Sequence, residues 1–213
     1  MSTPFYQKAR RHLSRRDPVL KAVIKQVGPC TLTPIPHDPF TILVRCVIYQ
    51  QISTKAAKSV FDRLAARVGG PPIPAAALGR LTEDDFRACG VSGPKQRALR
   101  AVIDYADANP GVLARIADLE EEAIHGHLTA IKGIGPWSVD MFLMFGISKP
   151  DVLPVGDLGI KAAMRKLYGP DDRYPTKDEM IAIAEPWRPY RTVACWYLWR
   201  SLGGVVPQSG QGG

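Results

Sequence analysis

The sequence predicts an all-α protein of about ten helices, arranged in two lobes. Two observations favour this class. Apolar residues recur at the i, i+3, i+4 spacing of amphipathic helices along most of the 213 residues. No segment of alternating apolar and polar residues is long enough to predict a β-strand, and no repeat of about 20–50 residues is present.

The predicted helices begin at capping residues and end at glycine or proline. Asp38 followed by Pro39 is a favourable helix start, and Gly69–Gly70 is a favourable end for the second helix. Thr176 and Glu179 form a capping box before the penultimate helix. In chain order, the predicted helices begin close to Asp38, Ser53, Thr82, Lys95, residue 119, Pro136, Leu158, Thr176 and Pro189.

Basic residues outnumber acidic ones, 28 to 20, which gives a formal net charge of +8 and a pI near 9.5. Such a surplus favours a polyanionic partner, most often nucleic acid, over an anionic membrane surface. The longest apolar stretch, Met141–Ile147, is far shorter than the ~20 residues that span a bilayer. The basic N-terminal segment lacks the apolar core of a secretory signal, so we expect no membrane association.

The cysteines and histidines predict no metal centre. Cys30, Cys46, Cys89 and Cys195 match no zinc or iron–sulfur spacing, and the four histidines match no metal-ligand spacing. A disulfide scaffold is untypical of a chain of this length. We therefore expect reduced, mostly buried cysteines in a cytosolic protein that requires no cofactor.

The segment from Leu128 to Trp137 predicts a tight turn between two helices. Gly133 and Gly135 turn the chain, and Pro136 begins the next helix. These residues alone leave two interpretations open. Backbone N–H groups beside a helix N-terminus can bind a phosphate that the glycines allow to approach closely. Alternatively the glycines serve only the turn, since short glycine motifs often occur by chance.

Asp157 stands directly before the helix that begins near Leu158. An aspartate at such a position is a common N-cap. It is also a carboxylate that can stabilise developing positive charge in a reaction. The two roles are compatible, and local sequence does not choose between them.

Four segments together resemble the helix–hairpin–helix DNA glycosylases, in that family's order. Ile131–Trp137 resembles the family's DNA-binding hairpin, and Val155–Lys161 resembles its catalytic aspartate segment. Asp38–Ser53 is similar to an early helix with a glutamine-containing end. Ala184–Trp199 is similar to the C-terminal segment of the 3-methyladenine-DNA glycosylase II branch. The resemblance covers about residues 35–202 and implies an all-helical fold with the active site between two lobes.

The resemblance implies that Asp157 is the catalytic residue, whose negative charge stabilises the oxocarbenium-like sugar as an N-glycosidic bond breaks. It also implies a monofunctional enzyme. Bifunctional branches carry a nucleophilic lysine at the hairpin position where this sequence has Trp137. With no amine at that position, we expect water to be the nucleophile and an abasic site to be the product.

An aromatic pocket for a base flipped out of the duplex is implied as well. The implied substrate-binding residues are Trp137, Trp199, Tyr49 and Met141. Met141 stands where the bacterial type has a tyrosine, which leaves the range of substrates open. Aromatic residues at helical spacing are usually core residues, and those predicted to be core are Trp187, Trp196 and Tyr197.

The resemblance assigns contacts to DNA and to an ion. The implied DNA-binding residues are Lys132, Gly133, Gly135, Lys161 and Lys95. The segment Cys89–Lys95 matches the wedge loop that fills the gap left by a flipped base, but its apolar residue would fall near Gly93 and is unassigned. The backbone carbonyls of Thr129, Ile131 and Gly133 match those that hold a structural Na⁺ or K⁺ in related hairpins.

We expect one helical unit of two lobes over residues 1–205, with the helix–hairpin–helix at about 119–145 and a disordered tail at 206–213. Too few residues precede Asp38 for the N-terminal β-rich domain of the larger bacterial members, so the compact form is expected. We also expect a monomer that acts on duplex DNA, in the nucleoid of a bacterium or the nucleus of a eukaryote.

The sequence thus predicts a monofunctional DNA glycosylase that excises alkylated purines, chiefly 3-methyladenine, in base excision repair. Two alternatives are open: a relative that removes deaminated or oxidised bases, and a non-catalytic helix–hairpin–helix protein that binds DNA structure. The Val155–Asp157 segment and the aromatic pocket argue against the non-catalytic alternative. Release of free base from methylated, deaminated and undamaged duplexes separates all three.

Overall fold

The computed structural model describes residues 3–169, 173–203 and 206, and over these residues it contains twelve α-helices and no β-strand. The all-α prediction is therefore confirmed. The α-helices are α1 (Thr3–Arg16), α2 (Pro18–Val27), α3 (Pro39–Tyr49), α4 (Thr54–Arg67), α5 (Ala75–Gly79), α6 (Glu83–Ala88), α7 (Gly93–Ala108), α8 (Glu121–Thr129), α9 (Pro136–Met141), α10 (Leu158–Tyr168), α11 (Lys177–Ala184) and α12 (Arg191–Ser201). Two 3-10 segments, Leu113–Asp118 and Glu185–Trp187, and a π-helical turn, Phe142–Gly146, are also present.

The chain forms two compact units. Residues Ile35–Phe142 form one, called here the hairpin unit. The residues up to Pro34, together with those from Leu143 onward, form the other, called the terminal unit. The hairpin unit holds α3 to α9, and the terminal unit holds α1, α2 and α10 to α12.

α3 is the central helix of the hairpin unit. Every residue from Phe40 to Tyr49 is buried, because this helix is apolar on nearly all sides and packs against α4, α7 and α9. Asp38 caps it by accepting the Thr41 N–H at 3.1 Å. Ser53 caps α4 in the same way. The predicted starts of both helices are thus confirmed.

α12 has the corresponding place in the terminal unit. Residues Thr192–Trp199 are all buried, and the helix packs against α1, α2 and α10. The three aromatic residues predicted to be core are at most 4 % exposed: Trp187, Trp196 and Tyr197. Asp17 links three elements of this unit, since it caps α2 and its Oδ2 accepts the Trp187 indole N–H at 2.7 Å and the Tyr168 hydroxyl at 2.8 Å.

The structure contains helices that the sequence pattern did not predict. Two of them, α1 and α2, precede Asp38. The apolar face of α1 consists of only three buried residues in an otherwise basic segment, so its helical pattern is weak. α5 is a five-residue helix that follows the proline-rich segment of residues 71–74. The helix predicted to begin at Pro136 is α-helical only to Met141 and continues as a π-helical turn. The predicted tail at 206–213 lies outside the described residues, apart from Val206.

All four cysteines are free and buried, as the sequence predicted. Among the described residues, no helix is both long enough and apolar enough to cross a membrane. Burial raises the pKa of the Cys30 thiol from 9.0 to about 12. It also raises the pKa of the Tyr6 hydroxyl from 10.0 to about 12 and the pKa of Tyr168 and Tyr197.

The free energy of unfolding should therefore fall at alkaline pH. The folded terminal unit holds the protons of these four groups more tightly than the unfolded chain does. Their stabilising effect is complete below the unfolded pKa values of 9.0 and 10.0, and it is lost as the pH rises towards 12. Each group contributes a slope of up to ~1.4 kcal/mol per pH unit.

Urea unfolding at a series of pH values between about 8 and 11 measures this slope. Tyr6→Phe should make the dependence of the unfolding free energy on pH shallower by the contribution of one of the four groups, because phenylalanine has no proton to lose. A free energy of unfolding that stays constant across this range would contradict the prediction.

Candidate functional site

Asp157 caps α10 at the end of an irregular segment. Residues 152–156, which precede it, are not helical. Asp157 is 6 % exposed, and its Oδ1 accepts the Ile160 N–H at 2.8 Å. Its backbone carbonyl accepts the Lys161 N–H at 3.0 Å. The N-cap interpretation is therefore confirmed.

α12 brings Trp199 to the same carboxylate. The indole Nε1 donates to Asp157 Oδ1 at 2.9 Å, and the ring packs against Phe145 with centroids 5.9 Å apart. Trp199 is 4 % exposed. The terminal unit thus brings the predicted catalytic residue and one predicted pocket residue into direct contact. Because the indole is itself fixed by packing, it holds the carboxylate in one position.

Gly159 is a site residue that sequence reasoning missed. A Cβ at this position would lie 3.1 Å from Asp157 Oδ1 and 3.0 Å from Trp199 Cδ1. Contacts this short would push the carboxylate or the indole aside. The one available signal was a glycine in the first turn of a helix, where glycine has the lowest propensity apart from proline.

The first turn of α10 also presents the predicted DNA contact of this unit. Lys161 is half-buried there. Its neighbour Leu158 is 70 % exposed. A cation and an apolar side chain therefore stand at the same end of α10 as the buried Asp157 carboxylate.

In the hairpin unit, α8 and α9 are the two helices of the predicted hairpin. α8 ends at Thr129, and α9 begins at Pro136 with Gly135 as its N-cap. Gly133 has φ +93°, and a Cβ there would lie 2.6 Å from the Ala98 Cβ on α7. Gly135 has φ −99°, and a Cβ there would meet nothing within 4 Å. The fold therefore requires glycine at the first position and accepts other residues at the second.

Gln50 holds the hairpin turn against the end of α3. Its Nε2 donates to the Gly133 carbonyl at 2.9 Å and to Ser138 Oγ at 3.0 Å. The sequence indicated only a helix end that contains glutamine, because a partner 83 residues away leaves no local signal. Lys132 and Gly133 are exposed and Trp137 is partly exposed, so these predicted contacts are accessible.

Tyr49 and Met141 are both buried. Tyr49 is 6 % exposed, and the Arg45 guanidinium lies 4.0 Å from its ring centroid. Burial raises the pKa of the Tyr49 hydroxyl, and the nearby Arg45 charge partly offsets this. Met141 is 0 % exposed. Their pocket roles stay predictions, since one face of the tyrosine ring already meets a protein cation.

In the predicted wedge segment, Cys89–Lys95, the one exposed apolar side chain is that of Pro94. Val91 is 1 % exposed, and α7 begins at Gly93. Lys95 Nζ donates to the Ile48 carbonyl at 2.6 Å, and burial lowers the pKa of this amine. The amine thus provides a hydrogen-bond donor to one of the last backbone carbonyls of α3, which has no partner within the helix. Its contact with phosphate stays a prediction.

Two of the three carbonyls predicted to hold an alkali ion already accept hydrogen bonds. The Ile131 carbonyl accepts the Ile134 N–H at 3.0 Å, and the Gly133 carbonyl accepts the Gln50 amide. A carbonyl oxygen has two lone pairs, so each retains one for an ion. The binding of Na⁺ or K⁺ by these oxygens and that of Thr129 stays a prediction.

The all-helical fold and the α8–α9 hairpin define a helix–hairpin–helix protein. The chain belongs to the HhH-GPD superfamily of base excision DNA repair proteins, whose sequence profile matches residues 44–189. The matched region contains α3 from Val44 onward, the hairpin and the Asp157 segment.

Two related proteins and one solved structure align with most of this chain. The alkylbase DNA glycosidase-like protein mag2 of Schizosaccharomyces pombe is 30 % identical over 92 % of this chain and 93 % of its own length. The DNA-3-methyladenine glycosylase 1 of the same yeast is 33 % identical over 91 % of this chain and 86 % of its own length. The solved structure of S. pombe 3-methyladenine DNA glycosylase (Mag1) in complex with abasic DNA is similar with a TM-score of 0.82, at 32 % identity over 92 % of this chain and 97 % of that chain.

Gly133→Ala should destabilise the protein, whereas Gly135→Ala should not. A left-handed backbone costs an alanine ~1–2 kcal/mol, and overpacking against Ala98 adds ~1–3 kcal/mol. We therefore expect a loss of about 3 kcal/mol for the first variant and less than about 0.5 kcal/mol for the second. Urea denaturation of both variants measures the difference.

The double variant Gly133→Ala with Ala98→Gly provides the control. Ala98→Gly itself costs ~1 kcal/mol, because it places a glycine inside α7. Measured against Ala98→Gly alone, the double variant should lose only the backbone part. Equal stability of Gly133→Ala and Gly135→Ala would mean that α7 does not pack on the turn as described.

Proposed function

We propose that this protein is a monofunctional DNA glycosylase that excises alkylated purines, chiefly 3-methyladenine, from duplex DNA. The observation that carries the proposal is the carboxylate of Asp157 in the family's aspartate segment, which the Ile160 N–H and the Trp199 indole hold at the start of α10. Two relatives, at 30 % and 33 % identity, are named alkylbase DNA glycosidase-like protein and DNA-3-methyladenine glycosylase. These names support the substrate class.

Excision breaks the bond between deoxyribose C1′ and a ring nitrogen of the base. The base leaves with the electron pair, so an alkylated purine that carries a positive charge leaves as a neutral molecule and needs little acid assistance. Positive charge builds on the sugar, where a well-placed opposing group is worth ~3–4 kcal/mol. Asp157 is proposed to be that group. Water then adds its oxygen to C1′ and gives up a proton, which the carboxylate can accept.

Trp137 supports a reaction without strand cleavage. It occupies the hairpin position at which bifunctional relatives carry a nucleophilic lysine, and it is partly exposed. An indole nitrogen cannot form the Schiff base that precedes strand cleavage. Trp137 and Trp199 are proposed to stack on the cationic base, and Trp199 in addition orients Asp157.

The hairpin is proposed to bind the DNA backbone. Exposed Lys132 supplies a cation, and the turn from Gly133 to Gly135 supplies backbone N–H groups beside the start of α9. Lys161 is proposed to add a cation on the first turn of α10. The Lys95 amine would have to give up its hydrogen bond to the Ile48 carbonyl before it could bind a phosphate. We propose a monomer that requires no cofactor and acts on the genome, in the nucleoid or the nucleus.

We further propose that Ile52 is the apolar residue that fills the gap left by the flipped base. Among residues 35–142 it is the one large hydrophobic residue that is exposed, at 40 %. Gln51 before it has φ +55°, which bends the loop, and Gln50 ties the same loop to the Gly133 carbonyl. Apolar side chains inserted between base steps hold an unstacked duplex open.

Ile52→Ala should slow excision from a fully paired methylated duplex by about tenfold, because extruding a paired base costs a few kcal/mol that the wedge helps to offset. Excision of the same base from a single strand should change little, since it needs no extrusion. Ile181→Ala is the matched control, because Ile181 on α11 is 37 % exposed. Equal slowing by both variants, or on both substrates, would contradict the wedge role.

Asp157→Asn should reduce base release by roughly 10²–10³-fold and leave the fold intact. Asparagine keeps the shape of aspartate and can still accept the Ile160 and Trp199 hydrogen bonds, so the substitution removes only the charge. Single-turnover release of 3-methyladenine from a methylated duplex is the measurement. Affinity for undamaged duplex should hold or rise.

Asp38→Asn makes the same chemical change at the N-cap of α3 and should not alter the rate of release. Thermal unfolding of both variants checks their folding. A near wild-type rate for Asp157→Asn would mean that Asp157 acts only as a helix cap and has no catalytic role. Release of deaminated or oxidised bases, without release of methylated ones, would favour the alternative substrate class.

A further inference from the structure

The outer face of α1 carries a stripe of basic side chains. Lys8, Arg11 and Arg15 follow one another at spacings of three and four residues, which places them on one face of the helix, and all three are exposed. The open cleft that contains this stripe is lined by Lys8, Arg11, His12, Arg15, Arg16 and Tyr190. α1 contains five of the 28 basic residues and no acidic residue.

The charges of this stripe are not neutralised within the described part of the chain. Over those residues, no ion pair joins Lys8, Arg11 or Arg15 to a carboxylate. The nearest acidic residue along the chain, Asp17, accepts hydrogen bonds from the start of α2 and from the Trp187 indole. The stripe is therefore available to an external anion.

The opposite face of α1 is fixed in the core of the terminal unit. Tyr6, Ala9 and Leu13 are 9 %, 0 % and 0 % exposed, and α1 packs against α2. An amphipathic helix that binds membranes needs its apolar face for insertion between lipids, and here that face is occupied. The exposed basic face is therefore suited to a polyanion that binds electrostatically at the surface, such as a nucleic-acid phosphate backbone.

We propose that this stripe binds phosphates of duplex DNA other than those held by the hairpin, as a second backbone contact of the enzyme. The proposal rests on the proposed function, since it takes duplex DNA as the partner. Lys8 and Arg15 are seven residues apart, or about 10 Å at ~1.5 Å per residue. One strand of B-DNA presents a phosphate every ~3.4 Å along its axis and winds around it, so a stripe of this length can face more than one phosphate.

The test compares two triple variants that each lower the net charge by three. The first is Lys8→Gln, Arg11→Gln and Arg15→Gln in the stripe. The control is Lys21→Gln, Lys25→Gln and Lys177→Gln, which are exposed positions on α2 and α11. Affinity for a long undamaged duplex is measured over a range of salt concentrations. The stripe variant should lose at least about tenfold in affinity, and its slope of log affinity against log salt should become shallower by about 2 to 3, while the control changes by less than about twofold.

Each outcome decides the proposal. Equal weakening by both triple variants would mean that net charge, and not this stripe, binds DNA. Unchanged DNA affinity with lost binding to vesicles that contain phosphatidylserine would assign the stripe to membranes instead. Thermal unfolding checks both variants, and if the triple variant unfolds, the single variants Lys8→Gln and Arg15→Gln should each lower the slope by about 0.9. Base release by the wild-type protein from a short methylated duplex tests the proposed function separately.

Discussion

One carboxylate oxygen of Asp157 links the start of α10 to α12. It accepts the Ile160 N–H at 2.8 Å, which caps α10, and the Trp199 indole N–H at 2.9 Å. The indole can approach this closely because Gly159 has no Cβ in its way. Trp199 in turn packs on Phe145, so the position of the carboxylate depends on the packing of the terminal unit as well as on the backbone that carries it.

The terminal unit uses this arrangement twice. Asp17 caps α2 and accepts the Trp187 indole N–H, just as Asp157 caps α10 and accepts that of Trp199. Asp17 also accepts the Tyr168 hydroxyl, and it joins the N-terminal helices to the C-terminal ones. An N-cap bonded to an indole is therefore not a functional signature by itself. What distinguishes Asp157 is its place within the family's aspartate segment, next to a helix turn that exposes Leu158.

In the hairpin unit, the C-terminal end of α3 has the organising role. The Ile48 carbonyl receives the Lys95 amine, the Gln50 side chain reaches the hairpin turn, and Ile52 is exposed just beyond. This end is fixed because α3 is buried from Phe40 to Tyr49. A rigid central helix thus positions both the turn proposed to bind DNA and the residue proposed to enter the duplex.

The sequence by itself determined the helical class, most helix starts and the order of the family's segments, because periodicity and caps such as Asp38 and Thr176 act within four residues. It did not predict α1, because that helix buries only three residues and is stabilised by its packing on α2. Only the tertiary structure decided that Trp199 bonds to Asp157, 42 residues away, and that Gln50 holds a turn 83 residues away. Contacts between positions so distant follow from how buried helices pack together, and they leave no local pattern in the chain.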